Sequence, residues 1–146
     1  MKNLQITAYM QHFIRQQVMP GDICIDATMG NGNDTALLSQ LAGKRGRVLA
    51  FDIQKQALKH TEERLKRDNC PENYQLLLES HENMAAYAET ETVSCITFNL
   101  GYLPGGDHSV ATRADSSKRA VESGLALLKK GGLMTICIYS GGDTGY

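Results

Sequence analysis

Asp26-Ala27-Thr28-Met29-Gly30-Asn31-Gly32-Asn33-Asp34 is the stretch whose reading decides the fold. Before it, Ile23-Cys24-Ile25 is a short apolar run, predicted as a strand over 23–27. After it, Thr35-Ala36-Leu37-Leu38 opens a helical pattern over about 34–42 that ends at Gly43. Asp34 stands where a side chain can accept from the free amides of a first turn, so a helix cap is one reading of it. Twenty residues past Gly32, Arg47-Val48-Leu49-Ala50-Phe51-Asp52 is a second apolar strand that ends in a carboxylate. Strand, glycine turn, helix, strand and acid is a layout that holds an adenosine cofactor. The glycines let backbone approach the ligand, and the acid accepts from ribose hydroxyls. Such a site offers hydride transfer or methyl transfer.

Outward from this core the pattern alternates. Leu4, Ile6, Phe13, Ile14 and Val18 recur at helical spacing until Pro20-Gly21 breaks them. An amphipathic helix over about 55–68 turns Leu58 and Leu65 inward, with Lys55, Lys59, Arg64 and Lys66 outward. A third strand covers 74–78, a short helix lies near 82–88, and a fourth strand covers 93–99. A loop over 100–114 precedes a helix capped by Asp115 or Ser116, which runs to Lys130 and is stopped by Gly131-Gly132. A fifth strand covers 133–139. The alternation predicts an α/β chain with a parallel sheet and helices on both faces. The polar segments 26–34, 52–54, 79–81, 99–107 and 140–143 then converge at the carboxyl ends of the strands, where such sheets bind ligands.

The 146 residues suffice for one domain with a real core. A net charge of −1 gives no overall basic field, so a nucleic-acid substrate needs a local patch. No apolar run reaches membrane-spanning length, and residues 1–18 carry polar groups throughout. The four cysteines form no Cys-x-x-Cys pair. Cys24, Cys95 and Cys137 fall within predicted strands and Cys70 in a loop, which fits core packing in a reduced, cytoplasmic setting. No metal-ligand set is read.

The cofactor follows from what the turn lacks. Gly30 and Gly32 match a nicotinamide-binding Gly-x-Gly-x-x-Gly, but position 35 is threonine, and no Tyr-x-x-x-Lys pair occurs. A dinucleotide places pyrophosphate on the helix N-terminus and needs a neutral cradle. S-adenosyl-L-methionine carries no phosphate, and a turn flanked by Asp26, Asn31, Asn33 and Asp34 suits its ammonium and sulfonium better. Asp52 is the ribose acid by spacing, Gln54 can add a bond, and Ser80 or His81 can reach the adenine edge. Each also has a plainer reading as turn or loop polarity.

Asn99-Leu100-Gly101-Tyr102-Leu103-Pro104-Gly105-Gly106-Asp107 is the second informative segment. Its start departs from the Asp/Asn-Pro-Pro-Tyr of methyltransferases acting on amino groups. An amide at Asn99 can accept an amine hydrogen and aim the nitrogen lone pair, and Tyr102 can stack on a flat base. A Gly/Pro-rich loop without chemistry explains 103–106, but not an asparagine closing an apolar strand.

Together these segments, with Ser80-His81 and 139–145, resemble the YtqB/MnmM-type methyltransferases, also labelled rRNA methylases, over essentially the whole chain. The resemblance implies a Rossmann-like class I methyltransferase fold that uses S-adenosyl-L-methionine. It implies methylation of the 5-aminomethyl group of (2-thio)uridine at the tRNA wobble position. The cofactor-binding set is then Asp26, Met29, Gly30, Asn31, Gly32, Asn33, Asp34, Thr35, Asp52, Ile53, Gln54, Ser80, His81 and Asn99. Asn99 and Tyr102 are the catalytic pair. Tyr102, Leu103, Pro104, Gly105, Asp107, His108, Arg113, Arg119 and Asp143 face the anticodon stem-loop. Family members continue past the fifth strand, so residues 1–146 are read as one methyltransferase domain lacking its last strands. An exposed fifth strand predisposes the chain to pair with another copy, as a homodimer. The rival acceptors are rRNA and a small amine. A non-catalytic adenosine-binding module and an NAD-dependent oxidoreductase are the rival classes.

Overall fold

Five strands form one sheet: β1 Ile23–Asp26, β2 Arg47–Asp52, β3 Tyr74–Leu78, β4 Val93–Tyr102 and β5 Leu128–Ser140. The computed structural model describes residues 2–102 and 107–140, with side chains over 6–101 and 115–138. The strands lie in the order β3-β2-β1-β4-β5, and every neighbouring pair is parallel. The helices are α1 Lys2–Gln17, α2 Asn33–Ala42, α3 Lys55–Arg67 and α4 Asp107–Leu127, with a 3-10 helix at His81–Ala86. This is the α/β arrangement the alternation predicts.

Successive strand residues face opposite sides, and both sides are covered, so the central strands are largely apolar. Cys24, Val48 and Cys95 pack under Ile14 of α1, Val18 just past its end, and Leu37 and Leu38 of α2. Ile25, Leu49, Phe51, Ile96 and Phe98 pack under Met84 of the 3-10 helix and Ala120 and Leu127 of α4. Chain order reverses between β1 and β4, which opens a crevice beyond their carboxyl ends. All four cysteines are free. Burial pushes the Cys95 thiol up to about 12 and raises Cys24 further, so both behave as small apolar groups.

Several boundaries differ from expectation. Helix α4 begins at Asp107, so Asp115 and Ser116 lie inside it rather than capping it. It stops at Leu127, because Leu128 enters the sheet opposite Val93. Strand pairing there overrides the helical propensity of Leu128-Lys129-Lys130. Gly131 lies past that switch with a left-handed φ of 80°. Strand β4 runs three residues past Asn99, in register with β5 through Tyr102. Gly32, at φ 87°, occupies the cap position of α2 with no side-chain capping bond, so Asp34 is not the cap. Arg64 does not simply point outward: it pairs with Asp68 at 2.6 Å and donates to Asn33. On α1, Ile14 is buried but Ile6 and Phe13 are exposed.

Candidate active site

The crevice at the β1/β4 reversal holds a cavity of about 630 Å³, within the range that encloses a cofactor-sized ligand. Its floor is the turn after β1. The amide of Met29 donates to Phe51 O at 2.9 Å, and that of Gly32 to Met29 O at 2.7 Å. The Thr61 hydroxyl donates to Gly30 O at 3.2 Å. A Cβ on Gly32 would stand 3.0 Å from Thr61 Cα, so α3 presses on the turn where only glycine fits. Asp52 completes the clasp: one carboxylate oxygen accepts from Gly30 N at 3.2 Å, the other from Gln54 N at 3.0 Å. A single side chain thus ties the tip of the first turn to the loop after β2.

Asp26 lies beneath this turn, fully buried. It accepts from the Thr35 hydroxyl at 2.6 Å and from Thr28 N at 3.1 Å. Burial, reinforced by Asp34 nearby, pushes its carboxyl up to about 7 against those bonds. Asp26 and Thr35 therefore sit as a buried pair behind the cavity wall, not on it. Met29, Gly30, Asn31, Asn33, Asp34, Asp52, Ile53, Gln54, Ser80, His81 and Asn99 do line the cavity. The Asn33 side chain is engaged by Arg64.

On the opposite wall, Asn99 is held twice. Its backbone amide donates to the Thr28 hydroxyl at 2.7 Å, and its Nδ2 donates to Asp34 Oδ2 at 2.7 Å. His81 meets Ala27 O through Nδ1 at 3.1 Å and tilts against Phe98. A carbonyl accepts only, so Nδ1 carries the hydrogen. Burial lowers the His81 pKa, which keeps the ring neutral. Ser80 caps the 3-10 helix through Glu82 N at 3.3 Å. Glu82 accepts from Ser116 at 3.0 Å and from Arg119 at 3.1 Å, which hold its carboxyl below the usual range. Arg119, read from sequence as a nucleic-acid contact, is thus ion-paired, though its side chain is still 58% exposed.

The structure also adds wall residues that sequence reasoning missed. Thr7 and Met10 reach the cavity from α1, Thr28 from the turn, and Ser116 and Ser117 from α4. Thr28 had a legible signal, being a hydroxyl inside the decisive motif. The α1 and α4 residues had none. Tyr102 is placed only as strand backbone, and Asp107, His108 and Arg113 only as helix backbone. Leu103, Pro104, Gly105 and Asp143 lie outside the described residues. Among the described residues no group of His, Cys, Asp or Glu could hold a metal ion, and no helix is long and apolar enough to cross a membrane.

Asp34, Asp52 and Glu79 give the cavity an acidic wall. Such a wall suits a cationic ligand with hydroxyls and repels a phosphate at the start of α2.

Comparison with known proteins identifies the family and the fold. Residues 48–146 match the family described as "putative rRNA methylase". A chloroplastic tRNA (mnm(5)s(2)U34)-methyltransferase of Arabidopsis thaliana is 37% identical over 143 residues, with 89% of this chain and 51% of that protein covered. The chain thus spans about half the length of that relative. The crystal structure of a "putative rRNA-methylase" from Clostridium thermocellum superposes with a TM-score of 0.83 at 43% identity, covering 95% of this chain and 74% of the other. A Streptococcus mutans methyltransferase structure in complex with SAH gives 0.73 at 40% identity, covering 88% and 70%.

Proposed function

This chain belongs to the rRNA methylase family, and from that premise we propose that it is an S-adenosyl-L-methionine-dependent RNA methyltransferase. Its acceptor in this reading is the 5-aminomethyl group of (2-thio)uridine at the wobble position of tRNA, in the cytoplasm. The observation that carries the reading is Asn99 on the wall of an acid-lined cavity, its side-chain amide held by Asp34 and its backbone N–H by Thr28, each at 2.7 Å.

The donor set fits the cofactor. Asp52 stands where ribose hydroxyls need an acceptor, and exposed Ile53 offers an apolar face for adenine. Asp34 and Asn31 serve the charged amino-acid end. When bound, the cofactor supplies a methyl group on cationic sulfur. Asn99 accepts one hydrogen of the acceptor amine and so aims its lone pair. A primary alkylamine has a pKa near ~10.4, so holding it neutral at pH 7 costs about 4–5 kcal/mol. A cationic neighbour and a partly dry cavity reduce that cost. Buried Asp26 and neutral His81 sit behind and beside the turn, so no side chain is assigned as a dedicated base. Tyr102, Leu103, Pro104, Gly105, Asp107, His108 and Asp143 are assigned to the base and its strand, and Arg113 and Arg119 to phosphate.

Nucleoside mass spectrometry after incubation with cofactor and undermodified tRNA tests the reading. Methylaminomethyl-uridine in tRNA is the expected product. A methylated nucleoside confined to rRNA, or transfer to a free amine alone, would overturn the tRNA assignment. Binding of SAH with no transfer to any RNA would overturn the enzyme assignment.

A further inference from the structure

We propose that Asp34 is a positioning residue: it locks the side-chain amide of Asn99 in the orientation that turns its carbonyl oxygen, not its NH2, toward the acceptor nitrogen. This rests on the role given to Asn99 above and names what enforces it.

The two branches of an asparagine amide are nearly the same size, so shape alone does not select one orientation. In the wrong one, NH2 faces the hydrogens of the acceptor amine and cannot accept from them. A carboxylate accepts hydrogen bonds and does not donate them. With Asp34 Oδ2 2.7 Å from Asn99 Nδ2, the NH2 branch is committed to Asp34. A half-turn of the amide would bring oxygen against oxygen at that separation. The rest of Asn99 is equally fixed: its backbone lies within β4, opposite Cys137 of β5, and its amide N–H is held by Thr28. With the backbone fixed, the side chain is left to set, and the bond to Asp34 sets it. Asp34 is free for this task because Gly32 occupies the cap position that its place in sequence suggested for it. Both residues line the same cavity, and they lie 65 positions apart in the chain.

The decisive experiment is a reciprocal exchange on the full chain, assayed for methyl transfer to undermodified tRNA and, by calorimetry, for SAH affinity. Asn99→Asp sets two carboxylates against each other and is expected to lower kcat at least a hundredfold. Asp34→Asn lets the amide take either orientation and is expected to lower kcat several-fold at saturating cofactor. The double variant D34N/N99D restores a donor–acceptor pair with polarity reversed and leaves an acceptor oxygen toward the amine. It is expected to recover to within tenfold of the parent. Losses that simply multiply in the double variant would overturn the proposal. So would an Asp34→Asn variant whose only defect is a higher KM for cofactor, which would make Asp34 a cofactor ligand alone. Near-normal turnover of Asn99→Ala would instead remove the role of Asn99 itself, and the proposal with it. A readout without turnover is NMR of the Asn99 side-chain NH2. Its protons are expected to exchange slowly in the parent and faster in Asp34→Ala, and equal exchange in the two overturns the contact.

Discussion

Gly32→Ala is expected to destabilise the chain by about 2–5 kcal/mol, the sum of two separable effects. The first is backbone strain: at φ 87° a side chain meets the following carbonyl, which costs roughly 1–2 kcal/mol. The second is crowding: the new Cβ would lie 3.0 Å from Thr61 Cα and 3.2 Å from Thr61 Cγ2. Forcing a methyl into a packed contact costs about 1–3 kcal/mol. Gly21 supplies the matched control, since its φ of 93° is nearly the same while nothing lies within 4 Å of its Cβ position. Gly21→Ala should therefore show the strain alone. Urea unfolding of both variants, followed by circular dichroism, gives the difference directly. Thr61→Ala should not rescue Gly32→Ala, because the nearest atom is helix backbone rather than side chain. The crowded variant should also bind SAH more weakly, since the displaced turn carries the Gly30 amide off Asp52. If the two alanine variants agree within about 0.5 kcal/mol, the turn is not wedged against α3 and the argument fails.

Three further outcomes follow from the site. Relative to the parent, Asp26→Asn should gain stability from about pH 4 to pH 7 and level off above that. The folded chain holds a proton there that the unfolded chain has released, so parent stability falls through the window ending near 7, by about 1.4 kcal/mol per unit; a pH-independent difference in urea midpoints refutes this. His81, whose lowered pKa works in the opposite sense, is common to both proteins and drops out of the comparison. Asp52→Asn can accept from only one of the Gly30 and Gln54 amides and faces the other with its own NH2. Calorimetry should show SAH affinity down about ten- to hundredfold, the scale of one or two unmatched polar groups. Arg119→Glu places two carboxylates together on an exposed surface and should leave stability nearly unchanged. RNA binding should weaken, with the salt slope reduced by about one, while SAH affinity holds; an unchanged slope removes Arg119 from the RNA face.

The first half of the fold was legible because local signals and tertiary demands agree there. Strands β2 and β3 fall at the predicted residues, and β1 is one shorter, since each apolar run is bounded by its own turn. The second half depends on partners far along the chain. Nothing local in Leu128-Lys129-Lys130 announces that it pairs beside Val93. Asn99 was expected to close its strand, and only the β5 register carries β4 onward to Tyr102. In the site, the cavity-lining set was largely readable from the motif after β1 and the acid after β2. The division of labour among the acids was not. Asp26 and Asp34 flank the same turn, yet one is buried against Thr35 and the other reaches across to Asn99. Arg119 reads as a free cation until Glu82, 37 residues away, comes to meet it. Such pairings are properties of the folded surface.

The three residues of β4 beyond Asn99 have a consequence for how such a protein can change. A group carried on a loop drifts whenever the loop is lengthened or exchanged. Asn99 instead inherits its coordinates from hydrogen-bonded neighbours on either side, as firmly as any rung of a ladder. In the proposed reading, residues that read the acceptor can be exchanged while Asn99, which aims the nucleophile, stays put. Specificity and reactivity would then be mounted on separate supports.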